Sequence, residues 1–166
     1  MGSEMCIRDR SVGEPWRVFH KDLGIGSSPY SKILQLNEDS AASNGSDFQQ
    51  AGMTSSVITL GGELKSNGSS RTYIAYLFAT SPVSKVGSYT GTGSSAQTID
   101  CGFSAGAKMV IIKCSSHSGQ WYIFDVNRGI TATVNDGVLM LNQTNAQSPE
   151  SSFFGASVDA IQPDNS

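Results

Sequence analysis

One segment of the sequence carries the residue pattern of a serine nucleophile. Residues 102–106 read Gly-Phe-Ser-Ala-Gly, which matches the G-x-S-x-G turn that places an activated serine, here Ser104, between a strand and a helix. Such a serine needs an acid and then a histidine later in the chain, yet the last histidine, His117, precedes Asp125. Residues 107–114, directly after the motif, have strand composition. The sequence therefore predicts a glycine-containing turn between two strands, and no serine hydrolase.

The remaining titratable residues also lack the spacing of a catalytic or metal site. His20 and His117 are the only histidines, whereas a zinc site needs three or four ligands at recognisable spacing. Asp125 has no carboxylate counterpart in the repeat described below, so a repeated acid pair for sugar hydrolysis is not indicated. Cys101 and Cys114 form no C-x-x-C pair and are predicted to be free, packed thiols. We expect neither an enzyme nor a cofactor.

A second pattern is apolar and occurs twice. Residues 16–25 and 121–130 both read W-x-[VI]-F-x-x-x-x-G-I, and the second segment starts 105 residues after the first. The same offset pairs further residues: Ile33 with Val138, Leu34 with Leu139, Leu36 with Leu141, Asn37 with Asn142, Ala41 with Ala146 and Phe48 with Phe153. The sequence therefore predicts an internal repeat whose shared apolar residues form a core, while the shared asparagines cap turns.

The aromatic motif also permits a binding interpretation. Strand alternation places Trp121 and Asp125 on one face of the second segment, with Asn127 just beyond its end. An exposed tryptophan beside a carboxylate and an amide is typical of a carbohydrate platform. The core interpretation is favoured, because buried aromatic side chains dominate the cores of β-sandwiches. Trp121, Asp125 and Asn127 remain the candidate carbohydrate contacts.

The elements that must position these residues are short β-strands separated by Gly, Ser and Asn. The predicted strands are residues 16–20, 32–37, 56–60, 72–79, 85–90, 97–101, 108–114, 120–125, 137–142 and 153–161. Residues 72–79 and 109–112 are the most apolar, which predicts central strands covered on both faces. Residues 61–71 and 91–97 are predicted to be surface loops. The fold class is therefore all-β, an antiparallel β-sandwich.

The repeat offset also predicts how the chain is divided. Residues 11–80 are predicted to be the C-terminal part of one repeat unit and residues 83–166 the N-terminal part of the next, with the seam at Ser81-Pro82. On this interpretation the tandem repeats are truncated at both ends. Residues 62–166 contain every segment of a unit once, so a permuted sandwich that pairs residues 72–79 with the second copy is the alternative.

The first ten residues differ in character from the rest. Residues 1–10 lack the apolar segment of a signal peptide. Their sequence resembles translated sequencing-adapter DNA, so we expect a non-native leader and leave it out of the fold prediction.

Bulk charge and hydropathy exclude two classes of partner. Charged residues make up 15% of the chain and the formal net charge is −3, so the sequence offers no basic surface for nucleic acid. The longest apolar run is far too short to cross a bilayer, which predicts a soluble chain without membrane insertion.

Several segments taken together point to a family. The twofold W-x-[VI]-F-x-x-x-x-G motif is joined by T-Y-I-A-Y-L-F-A at 72–79, V-G-S-Y-T-G-T-G at 86–93, Q-T-I-D-C-G-F at 97–103 and K-M-V-I-I-K at 108–113. Across residues 11–166 these segments resemble an uncharacterised tandem repeat domain of large proteins from marine bacteriophages and related prophage regions.

The resemblance implies a concanavalin-like or jelly-roll-like β-sandwich in a virion component, such as a tail or fibre part. It implies no catalytic, cofactor or metal residues. The expected partners are other virion subunits or a host-surface glycan, in a virion or extracellular location. The function expected on this basis is a non-enzymatic structural or adhesive repeat module, with a carbohydrate-binding β-sandwich module as the alternative.

Overall fold

The computed structural model describes residues 3–9, 13–93, 97, 99–103, 107–128 and 136–150. The strands in these residues are β1 Ser3–Asp9, β2 Arg17–His20, β3 Tyr30–Gln35, β4 Ser43–Gln49, β5 Tyr73–Ala79, β6 Met109–Lys113, β7 Trp121–Asp125, β8 Asp136–Met140 and β9 Ser148–Glu150. A 3-10 turn, Lys21–Leu23, and a short helix, α1 Leu64–Asn67, accompany them. The chain is nearly all-β and its strand pairs are antiparallel, which confirms the predicted fold class.

The strands form two sheets that pack against each other. The first has the order β4-β3-β2-β1-β5 and the second the order β6-β7-β8-β9. The segments that follow β3 and β6 are tied together by backbone hydrogen bonds, from the Ala42 N–H to the Ser115 carbonyl at 2.8 Å and from the Gly119 N–H to the Asp39 carbonyl at 2.7 Å. No helix among the residues described is long and apolar enough to span a membrane.

The two sheets share one strand register. In the first sheet β2 and β3 pair Arg17 with Gln35, and in the second β7 and β8 pair Tyr122 with Met140, each residue 105 positions later. The same offset carries the β1–β2 register onto β6–β7 and the β3–β4 register onto β8–β9. Four strands of one sheet therefore reproduce the pairing of four strands of the other.

A hydrogen-bonded clip recurs in both sheets. The backbone N–H of Trp16 donates to Oδ1 of Asn37 at 3.1 Å, and the N–H of Trp121 donates to Oδ1 of Asn142 at 3.0 Å. In each sheet the tryptophan carbonyl accepts from the residue before that asparagine, at 3.1 and 2.9 Å. The asparagine after β3 or β8 thus satisfies the backbone at the start of the neighbouring strand, which is why both residues recur.

The core lies on both faces of the first sheet. Because side chains alternate along a strand, Phe19 packs with Ile33 and Phe48 on one face, while Val18 and Leu34 pack on the other. The second sheet covers that other face with the side chain of Trp121, which joins the cluster of Val18 and Leu34. The contact between the sheets is therefore an apolar layer, as in a sandwich.

The prediction of two central strands is wrong. Among the residues that the structure describes, β5 and β6, which contain the predicted residues 72–79 and 109–112, are each the outermost strand of a sheet. Every residue of β5 except Tyr73 is exposed, and β6 exposes Met109 and Ile111. Apolar composition predicted a strand at each place, but it does not distinguish a covered strand from an uncovered edge.

Other elements differ from the sequence-based expectation. Residues 56–60 and 85–90 form no strand, and neither do the described residues of 97–101. Residues 61–71, predicted to be a loop, contain α1. β4 was missed because its sequence, S-N-G-S-D-F-Q, is polar and forms a strand by pairing with β3. The predicted strand 153–161 lies outside the described residues.

Residues 3–9 form the strand β1, so their exclusion from the fold prediction is wrong. β1 pairs with β2 on one side and with β5 on the other, and it stands where β6 stands in the second sheet. The proposed seam at Ser81-Pro82 coincides with a tight turn in which the Ser81 N–H donates to the Ser84 carbonyl at 2.7 Å. The origin of the leader and the division at the seam stay predictions.

Candidate functional site

The predicted carbohydrate platform on Trp121 is not formed. Trp121 is only 3% exposed and belongs to the core between the sheets. Its Nε1–H donates across the interface to the carbonyl of Gln35 at 2.8 Å. Since both the ring face and the polar edge are occupied within the protein, the core interpretation of Trp121 is confirmed and the platform interpretation is wrong.

Asp125 and Asn127 lie at the opposite end of β7 from Trp121, in the turn that follows the strand. Oδ1 of Asp125 accepts hydrogen bonds from the backbone N–H groups of Asn127 and Arg128, both at 3.0 Å. Its Oδ2 forms an ion pair with Arg128 at 2.5 Å. The carboxylate of Asp125 therefore closes a turn, and the three predicted residues do not form one site.

A pocket of about 280 Å³ lies beside the other tryptophan, Trp16. It is lined by Gly13, Glu14, Trp16, Leu36, Asn37 and Leu141, so both sheets contribute. The ring of Trp16 packs on Tyr76 of β5, with centroids 5.6 Å apart and planes inclined by 32°. Sequence reasoning missed this pocket, because it treated the two tryptophans of the repeated motif as equivalent.

The pocket combines an aromatic surface with a carboxylate and an amide. Trp16 is half-buried, while Glu14 and Asn37 supply the polar groups at its rim. Convergent polar groups around an apolar wall are the usual composition of a small-molecule site, although about 300 Å³ is the lower end of the size range. This composition suits one sugar residue or a similarly small polar ligand.

A second candidate surface is formed by the exposed apolar side chains of β5. β5 exposes Ile74, Tyr76, Leu77 and Phe78, which alternate between the two faces of an edge strand. Edge strands with exposed apolar side chains are sites of strand addition unless charges or prolines protect them. β5 is therefore a candidate interaction surface.

Comparison with known families places the chain. A family model described as a domain of unknown function, DUF7483, matches residues 2–159. The chain belongs to the DUF7483 family. This match covers both sheets, and it begins within the residues predicted to be a leader. No curated protein and no solved structure shows a significant match to the chain.

The DUF7483 domain also contains a buried ion pair. Nε of Arg17 in β2 lies 3.5 Å from Oδ1 of Asp47 in β4, and both side chains are buried. Burial raises the pKa of Asp47, and the adjacent Arg17 opposes that rise. Because both side chains are buried, the ion pair offers no access to a ligand. The counterpart of Arg17 in the second sheet is Tyr122, so the ion pair contributes to the packing of the first sheet only.

The serine motif of the DUF7483 domain begins as a turn. Gly102 has a left-handed φ of 64°, and its N–H donates to Oδ1 of Asp100 at 2.7 Å. Strand β6 follows the motif, as predicted, where a nucleophile elbow would have a helix. Ser104 lies outside the described residues, and His117 is exposed with Nδ1 2.9 Å from Oγ of its neighbour Ser116.

The thiols and other metal-ligating side chains form no further site in the residues the structure describes. Cys101 and Cys114 are free. Burial raises the pKa of the Cys101 thiol, while a hydrogen bond from Ser116 is the main cause that lowers the pKa of the exposed Cys114. Within the described ranges, no three His, Cys, Asp or Glu side chains are grouped as metal ligands would be.

Proposed function

We propose that this DUF7483 domain is a non-enzymatic structural or adhesive module whose two sheets are copies of one repeat unit. The observation that carries the proposal is the shared register: four strands pair in the same way at an offset of 105 residues. A repeated unit of this kind buries its apolar face against a neighbouring unit, as the first sheet does against Trp121.

The chemistry of the recurring residues supports a structural role. The groups kept in both sheets are the apolar core residues and the asparagine that clips the strand start. Between residues 13 and 48, no histidine, acid or base recurs in kind at the matching position of the second sheet. Catalytic residues would keep the same functional group at matching positions of the two copies, whereas packing residues need to keep only a similar side-chain size.

The virion setting is supported by the resemblance of residues 11–166 to repeats of bacteriophage structural proteins. A tail or fibre protein uses many weak contacts at once, so its modules need rigidity and surface more than a deep pocket. Other virion subunits, or a glycan on the host surface, are the partners that this proposal implies.

The complete reading frame that encodes the chain tests this proposal. The proposal expects further W-x-[VI]-F-x-x-x-x-G segments at the same spacing, and neighbouring genes for particle proteins. A frame with this pair of segments alone, placed among genes of small-molecule metabolism, would contradict it.

A second candidate function is carbohydrate binding at the Trp16 pocket. It is favoured by the aromatic pair of Trp16 and Tyr76 next to Glu14 and Asn37. Binding should be measured on a glycan array with the intact chain and with Tyr76→Ala, which removes an exposed ring. Glycan retention that Tyr76→Ala abolishes without loss of β-structure by circular dichroism would support it, and no retention by the intact chain would exclude it.

A further inference from the structure

The two sheets differ in the residue that precedes the motif tryptophan. In the second sheet this residue is Gln120, and its Oε1 accepts hydrogen bonds from Nδ2 of Asn142 and from Nε2 of Gln143, the latter at 3.2 Å. The residue 105 positions earlier is Pro15, which has no side-chain acceptor. The side-chain carboxamide that completes the asparagine clip of the second sheet therefore has no equivalent in the first sheet.

The side-chain amide of Asn37 consequently keeps a donor that the protein does not use. Its Oδ1 accepts from the N–H of Trp16 at 3.1 Å, which directs the oxygen toward the backbone and leaves Nδ2 on the other side. Among the residues that the structure describes, Nδ2 of Asn37 has no acceptor. Asn37 is also exposed, whereas Asn142, beside Gln120, is partly buried. The first sheet thus presents to solvent a donor that the second sheet pairs internally.

The pocket beside Trp16 lies at this position. Asn37 lines it together with the ring of Trp16, the carboxylate-bearing Glu14 and two leucines, one from each sheet. A group that accepts a hydrogen bond from Nδ2 of Asn37 therefore also meets an aromatic wall, aliphatic side chains and one carboxylate. The pocket asks for a ligand group with one acceptor, one apolar part and one donor.

An acetamido group has this combination. Its carbonyl oxygen can accept from Nδ2 of Asn37, as the carbonyl oxygen of the Gln120 side chain accepts from Asn142. Its methyl group is apolar and suits the wall formed by Trp16. Its N–H is a donor, for which the carboxylate of Glu14 is an acceptor in the same pocket. The second sheet therefore shows, within the protein, the kind of carbonyl that the first sheet lacks.

We propose that the Trp16 pocket binds an N-acetylated hexosamine through its acetamido group. The inference rests on the second candidate function, carbohydrate binding at this pocket, and it names the class of sugar. The volume of about 280 Å³ is small, as expected for a site that holds one sugar residue. Tyr76 packs on Trp16 with the ring centroids 5.6 Å apart and is 54% exposed, so the aromatic surface continues beyond the pocket. This surface suits the apolar C–H face of a pyranose ring.

Titration of the full chain with N-acetylglucosamine and with N-acetylgalactosamine, followed by nuclear magnetic resonance, tests the role of Asn37. Asn37→Asp keeps an acceptor for the N–H of Trp16 but replaces the Nδ2 donor with a carboxylate oxygen. The affinity should fall about tenfold or more, because one hydrogen bond is lost and two oxygens face each other. The matched control, Asn142→Asp, makes the same change in the second sheet and should retain the affinity. Unchanged affinity in Asn37→Asp would overturn the proposal.

A second variant supplies the absent carboxamide from the protein itself. Pro15→Gln places in the first sheet the side chain that precedes Trp121 in the second. Its carbonyl should accept from Nδ2 of Asn37 and compete with the sugar, so the affinity should again fall about tenfold or more. Pro15→Ala removes the proline ring without adding an acceptor and should bind like the wild-type chain. Equal affinity in Pro15→Gln and Pro15→Ala would contradict the assigned role of the carboxamide. Circular dichroism of both variants checks that the β-structure persists.

Two further ligands separate the acetamido group from its source. Glucose lacks the group, whereas a peptide that contains acetyl-lysine carries it without a sugar. Binding of the N-acetylated sugars at least about tenfold more tightly than either ligand supports the proposal. Equal binding of glucose would overturn the acetamido assignment and leave the carbohydrate candidate intact. Tighter binding of the peptide would overturn the assignment to a sugar, and no binding of any sugar would overturn both this inference and the candidate function.

Discussion

The two tryptophans that head the repeated motif have the same backbone partner and different surroundings. The N–H of each donates to a matched asparagine, Asn37 or Asn142. Trp121 then points into the layer between the sheets, whereas Trp16 forms the wall of a surface pocket and packs on Tyr76. The motif therefore specifies where a strand starts and how it is paired, whereas the packing of the other sheet decides whether the tryptophan ring is buried or exposed.

The largest expected effect comes from Trp121→Ala. Removing a buried tryptophan costs about 3–5 kcal/mol, which is a large fraction of the stability of a typical domain. Trp16→Ala should cost about 1 kcal/mol, since its ring is already half in water. Urea unfolding followed by circular dichroism compares the two variants. Equal losses in the free energy of unfolding would show that the two rings have equivalent environments, which would contradict the structure.

Removal of one member of the buried ion pair should come next. Arg17→Met leaves Asp47 buried without its counter-charge, at a cost of about 3 kcal/mol. The double variant Arg17→Met with Asp47→Leu should recover most of that stability, because no buried charge remains. The matched change in the second sheet, Tyr122→Met, should cost less than Arg17→Met. Chemical denaturation of the four proteins gives the comparison.

The asparagine clips should have smaller effects, and the loss for Asn142→Ala should be the larger, because Nδ2 of Asn142 also donates a hydrogen bond to Oε1 of Gln120. Asn37→Ala and Asn142→Ala each remove one acceptor for a tryptophan N–H, at a cost of about 1 kcal/mol. Asn→Asp at each position keeps an acceptor oxygen and serves as the control. If only one of the two alanine variants lost stability in thermal unfolding, the result would weaken the proposal that the two sheets are copies.

How much of this arrangement the sequence predicts depends on the kind of contact. The strands β2, β3, β7 and β8 were predicted, because apolar alternation is a local pattern and the 105-residue repeat can be read directly from the sequence. Their shared register follows from the same offset. The positions of β5 and β6 were predicted wrongly, since composition does not reveal which strand lies at an edge. The candidate site was misplaced on Trp121 for a related reason: the contact that buries its ring joins residues 86 positions apart, Gln35 and Trp121.

The smallest expected effect is a pH dependence confined to the first sheet. Burial raises the pKa of Asp47 in the folded chain above its unfolded value. The folded state therefore binds this proton more tightly, and the contribution of Asp47 to stability falls as the pH rises from the unfolded pKa through the folded one. The stability of the wild-type chain relative to Asp47→Asn should increase when the pH is lowered from 7 to about 4. A difference that stays constant or decreases over that range would contradict the assigned shift.

Nuclear magnetic resonance can measure whether the two sheets have the same strand register in solution. In an antiparallel pair, the α-protons of residues in non-hydrogen-bonded positions are close enough to give strong cross-strand Overhauser effects. We expect such contacts between Arg17 and Gln35 and also between Tyr122 and Met140, since both pairs hold that position. A contact displaced by one or more residues in one sheet, with the other unchanged, would contradict it.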